Sequence, residues 1–67
     1  MDRERAKIRL EHWLRHAEDH ALEYQEFSQT LMGMGFKKAG DAIMRLSEIT
    51  RESCKIIQEA LEALKED

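Results

Sequence analysis

Between Leu10 and Met34 the apolar side chains return at alternating steps of three and four, and no proline interrupts the chain. Leu10, Trp13, Ala17, His20, Tyr24, Phe27, Leu31 and Met34 make up the series. That spacing is the seam of a helix packed lengthwise against other helices. Leu14 and Ala21 join the series in one broad apolar arc, while Glu11, Arg15, Glu18, Asp19 and Glu26 face away. The pattern predicts a helix over residues 3–32, about 45 Å long at 1.5 Å per residue. Asp2 is placed to cap it, because a carboxylate there accepts from free backbone N–H groups. His20 holds a seam position that would ordinarily carry leucine.

Gly33-Met34-Gly35 is the one interruption. Glycine tolerates the left-handed conformation that ends helices, so Gly33 or Gly35 is the expected residue after the cap. A second helix is predicted over 37–65, starting near Phe36 or Lys37. Gly40 leaves open a later start with Asp41 as the cap. Its seam reads Ala39, Ile43, Leu46, Thr50, Ser53, Ile57, Ala60 and Leu64. Ala42, Ile49, Ile56 and Ala63 widen the stripe beyond what one partner helix covers. A link this short forces the helices antiparallel. Arg3, Arg5, Lys7 and Arg9 then neighbour Glu59, Glu62, Glu66 and Asp67. Each group opposes its own helix dipole but attracts the other, at about 0–1 kcal/mol per exposed pair. The expected fold is all-α: one antiparallel two-helix hairpin over residues 1–67, dimerising into a four-helix bundle.

Length supports the need for a partner. Sixty-seven residues bury only about 60% of the unfolded surface, so such domains usually add disulfides, metal or a second chain. Cys54 is alone, which excludes an internal disulfide and fits a reducing compartment. Its ordinary role is that of a small side chain near a helix face. A net charge of -3 without a long basic run argues against nucleic acid. No apolar run approaches the roughly 20 residues of a membrane span, and the start Met1-Asp2-Arg3-Glu4-Arg5 is unlike a signal peptide. The chain is expected in the cytoplasm.

His12, His16 and His20 stand four apart and climb one side of the first helix. Counting outward from the turn puts His20 level with Thr50 to Cys54. Buried there, its imidazole would need hydrogen-bond partners, which the Thr50 and Ser53 hydroxyls could supply. Such a polar layer fixes helix register much as a buried asparagine does in a coiled coil. The alternative is a metal site. His16, His20 and Glu23 lie at i, i+4 and i+7, and imidazole with carboxylate suits nickel or zinc. Glu48 or Glu52 could add a ligand. Catalysis is not expected. The Glu-x-x-His order of di-iron bundles is reversed in His20-Ala21-Leu22-Glu23, and the second helix has no histidine. His20 with Ser53 or Cys54 lacks an orienting group.

The run His12-Trp13-Leu14-Arg15-His16-Ala17-Glu18-Asp19-His20-Ala21, followed by Glu23-Tyr24 and by Gly33, Gly35 and Phe36, resembles a small family of helical hairpins. That family is similar in pattern to domains found beside nickel-binding accessory proteins of carbon monoxide dehydrogenase. The resemblance implies a link to nickel handling and no defined activity. The expected function is a small cytoplasmic oligomerisation or accessory module, a homodimer with an unidentified protein partner. A metal-binding accessory protein using His16, His20 and Glu23 is the alternative.

Overall fold

Asp2 starts the fold as its chemistry predicts. Its carboxylate accepts from the Arg5 backbone N–H at 2.8 Å, and helix α1 then runs from Arg3 to Gly33. Helix α2 runs from Lys37 to Glu66. These come from a computed structural model, which describes residues 2–67. The two helices pack as an antiparallel hairpin of 49 × 14 × 12 Å. Among the described residues no helix is long and apolar enough to cross a membrane.

The reversal is made by Gly35, which has φ +87°. Its N–H donates to the Met32 carbonyl at 3.0 Å, and the Phe36 N–H donates to Leu31 at 2.9 Å. This pair of bonds is a Schellman motif, which satisfies carbonyls the ending helix leaves free. Gly33 belongs to α1, and α2 passes through Gly40 without a break. The start near Lys37 therefore holds, and the later start at Asp41 does not.

The seam differs from the predicted one. On α1 the buried and half-buried positions are Ala6, Leu10, Leu14, Ala17, Ala21, Tyr24, Gln25, Ser28 and Leu31. On α2 they include Gly40, Ile43, Ser47, Thr50, Cys54, Ile57, Leu61 and Leu64. Near the turn every second member has moved by one residue: Leu14, Ala21 and Ser28 replace Trp13, His20 and Phe27, and Gly40 and Ser47 replace Ala39 and Leu46, whereas Ser53 and Ala60 stay half-buried beside Cys54 and Leu61. The physical reason is close approach. Small side chains at seven-residue intervals on both helices let the backbones meet, and dispersion gains from that contact outweigh burying a few large groups less closely.

Two hydroxyls mark the contact. Ser28 Oγ donates to the Gly40 carbonyl at 2.7 Å, and Ser47 Oγ donates to the Ala21 carbonyl at 3.0 Å. Both serines are fully buried. A Cβ added at Gly40 would stand 3.0 Å from the Met32 Cγ and Sδ atoms, so the approach is tight there too. On one side of the seam Arg51 donates to Gln25 across the helices. Each of these residues lies four places after a seam member, Ala21 or Ser47. The positions one place before the seam on both helices therefore share the opposite side. The ion pairs Lys37–Asp41, Lys55–Glu52 and Lys65–Glu62 all lie within α2.

Net hydrogen bonds of this kind contribute about 0.5–1.5 kcal/mol. Ser47→Ala is expected to cost about 1 kcal/mol in urea unfolding, and Ser47→Leu about 1–3 kcal/mol through overpacking. Gly35→Ala is expected to cost about 1–2 kcal/mol, because the left-handed backbone crowds a Cβ. Equal stability of Ser47→Leu and wild type would contradict the close-packed seam.

Candidate functional site

The displaced large residues gather on the side of the hairpin opposite the Arg51–Gln25 bond. From α1 come Trp13, 53% exposed, and Phe27, 55% exposed. From α2 come Leu46, Ile49 at 65% and Ile56 at 64%. Half-buried Leu10, Ala17, Tyr24 and Leu31, with Ile43, Thr50, Ile57 and Leu64, floor the groove between them. Leaving large apolar side chains wet forgoes about 1.5–3 kcal/mol each.

His20 lies in this face, not in the seam of the hairpin. Its side chain is 52% exposed, so the hairpin does not bury it as expected. Ser47 reaches the Ala21 carbonyl, which places His20 at the height of the Leu46–Ser53 interval of α2. The Thr50 and Ser53 hydroxyls donate to their own helix, at Leu46 (2.8 Å) and Ile49 (3.1 Å). Within one hairpin His20 instead stacks on Tyr24, with ring centroids 5.9 Å apart and planes 14° from parallel.

The histidine ladder forms one edge of the face. The His12 and His16 rings are 4.3 Å apart, and those of His16 and His20 are 6.4 Å apart. His20 Nδ1 stands 4.0 Å from Glu23 Oε1. His16, His20 and Glu23 thus occupy consecutive turns of one exposed edge, as their spacing predicts. Among the described residues no three His, Cys, Asp or Glu side chains converge as an ion would require. Glu48 and Glu52 are exposed on α2, and Glu52 pairs with Lys55.

Ser28 and Ser47 were missed as structural residues because serine is ordinarily an exposed side chain. The available signal was the recurrence of small residues every seven positions, Ala21 and Ser28 on one helix and Gly40, Ser47 and Cys54 on the other. Cys54 is buried in that row. Burial pushes its thiol pKa up, the Glu18 carboxylate adds to the rise, and Arg51 opposes it. At the open end of the hairpin Arg3 and Lys7 line a shallow groove with Leu61, Glu62 and Lys65. Of the expected opposite charges, Arg3 and Lys7 neighbour Glu62 there, and Glu62 pairs with Lys65 of its own helix.

Two antiparallel helices locked by buried serines define a small all-α hairpin. The chain belongs to a family described as "Domain of unknown function (DUF8180)", whose profile matches residues 6–64. No curated protein and no solved structure matches it.

Thiolate, not thiol, is the nucleophile. Cys54 in the folded protein is therefore expected to react with iodoacetamide at neutral pH more slowly than a free thiol, and to reach the free rate in denaturant. Equal rates in both conditions would show that the seam does not enclose it.

Proposed function

We propose that the hairpin is a self-association module, a cytoplasmic accessory protein without catalysis of its own, in which a second copy covers the apolar face. The observation that carries this is that Trp13, Phe27 and Leu46 are left exposed on one side of both helices, with Ile49 and Ile56 exposed on the outer flank of α2 beside them. Area supports it. The chain exposes 5288 Å², against roughly 4400 Å² for a compact monomer of its mass. The excess is close to the roughly 800 Å² that each partner gives to a standard interface. A symmetric pair is the commonest closed assembly.

Sedimentation equilibrium is expected to give a dimer at low micromolar concentration. Ile56→Glu should shift it toward monomer and lower the melting temperature, because it places a charge in the covered surface. A stable, fully folded monomer at low micromolar concentration would overturn the reading.

A second reading rests on the histidine edge. His16 and His20 are exposed on successive turns with Glu23 beside them, a donor set that suits nickel or zinc. The resemblance of the His12–Tyr24 run points the same way. A metal at a hundredfold excess over its dissociation constant stabilises by about 2.7 kcal/mol. Under this reading Ni²⁺ or Zn²⁺ raises the wild-type melting temperature at neutral pH. The rise fades in mild acid, because protons compete for imidazole, and is lost in His20→Leu. If neither ion shifts the wild-type melt, the metal reading falls.

A further inference from the structure

The uncovered face carries an alternation of side-chain size that differs between the helices. The residues one place before the seam point most directly out of it. On α1 these are Trp13, His20 and Phe27; on α2 they are Ala39, Leu46, Ser53 and Ala60. The serine bonds fix the heights at which these residues sit, because Ser28 meets Gly40 and Ser47 meets Ala21. In that register Trp13 lies at the height of the Ser53–Ala60 interval, His20 at the Leu46–Ser53 interval, and Phe27 at the Ala39–Leu46 interval. One helix thus presents large residues where the other presents spaces.

We infer that the second copy sits with the two-fold axis running along the hairpin, so that both turns lie at the same end and each α1 packs on the α2 of the other copy. This rests on the self-association reading, and it specifies which of two arrangements the face accepts. With the axis lengthwise, heights are preserved. Trp13 enters the space among Ser53, Ile56, Ile57 and Ala60 of the partner subunit, and Phe27 enters the space among Ala39, Ala42, Ile43 and Leu46. Knobs meet holes along the whole length. All neighbouring helices are antiparallel, as in an up-down bundle.

The crosswise axis does worse on every pair. It sets α1 against α1, with Trp13 on Phe27 and His20 on His20, and α2 against α2, with small residues on small ones. One helix pair would be held apart by aromatics while the other was left with gaps, and voids forfeit dispersion contacts.

The lengthwise arrangement also finds a partner for His20. Its imidazole comes over Thr50 and Ser53 of the partner subunit. Those hydroxyls give their protons to the Leu46 and Ile49 carbonyls, so their oxygens remain able to accept from an imidazole N–H. The polar layer is then made between copies, inside an otherwise apolar interface, where it sets which orientation forms.

The test is a distance between turns. A spin label is placed at Gly33→Cys, where a side chain meets nothing within 4 Å, on a Cys54→Ser background. Double electron–electron resonance on this dimer should give a label separation of about 20–30 Å, two to three helix diameters. A separation near the 49 Å length of the hairpin, with sedimentation still showing a dimer, would overturn the orientation alone. A monomer by sedimentation, with the unlabelled wild type also monomeric, would overturn the self-association reading itself. A second pair of variants reads the same geometry without a label. Phe27→Ala and Ala42→Phe should each weaken the dimer at least tenfold, and the double variant should recover most of that loss. Simple addition of the two losses would overturn the lengthwise arrangement.

Discussion

Everything in this hairpin depends on how closely two backbones can approach. Ser28 donates to the carbonyl of Gly40, and Ser47 donates back across to that of Ala21. A hydroxyl on so short a side chain reaches a neighbouring backbone only when the helices nearly touch. The bonds run in opposite directions between the helices, so sliding one helix along the other breaks both. A slide of seven residues would keep the apolar periodicity but bring Ser47 to the height of Leu14, whose side chain holds the backbones apart.

Close approach decides where the bulk goes. A seam filled by Ala21, Ser28, Gly40 and Ser47 has no room for indole or phenyl rings, so Trp13 and Phe27 stand outside it. The hairpin is thus two kinds of surface set at right angles. Between the helices is a narrow contact of small groups with polar anchors. Across one side is a broad face of large apolar groups, with its own polar position at His20. The opposite side is bridged by Arg51 and Gln25 and carries exposed Leu22.

The parts of this fold that were legible in the sequence are those set by local chemistry. Asp2 as cap, the glycine after Met34 and the start near Lys37 each follow from backbone hydrogen bonding within a few residues. The seam was not legible by the same route. Trp13 and Leu14, His20 and Ala21, Phe27 and Ser28 are adjacent pairs, and either member of each satisfies the three-four spacing. Hydrophobicity favours the tryptophan and phenylalanine, whereas packing density selects the small residue. That choice is a property of the pair of helices and of no single stretch. The histidine edge, by contrast, lies where its spacing put it, since i and i+4 share a side in any helix.

The seam residues grow along the hairpin. From the turn outward α2 offers Gly40, Ser47, Cys54 and Leu61, and α1 offers Ser28, Ala21 and Leu14. The smallest groups and both serine bonds therefore lie in the half nearest the turn, where joining the helices closes the shortest loops and costs least entropy. Leucines, half-buried, fill the far half. The cost of closing the chain thus rises from the glycine turn toward the two ends, and the tightest contacts stand where that cost is lowest.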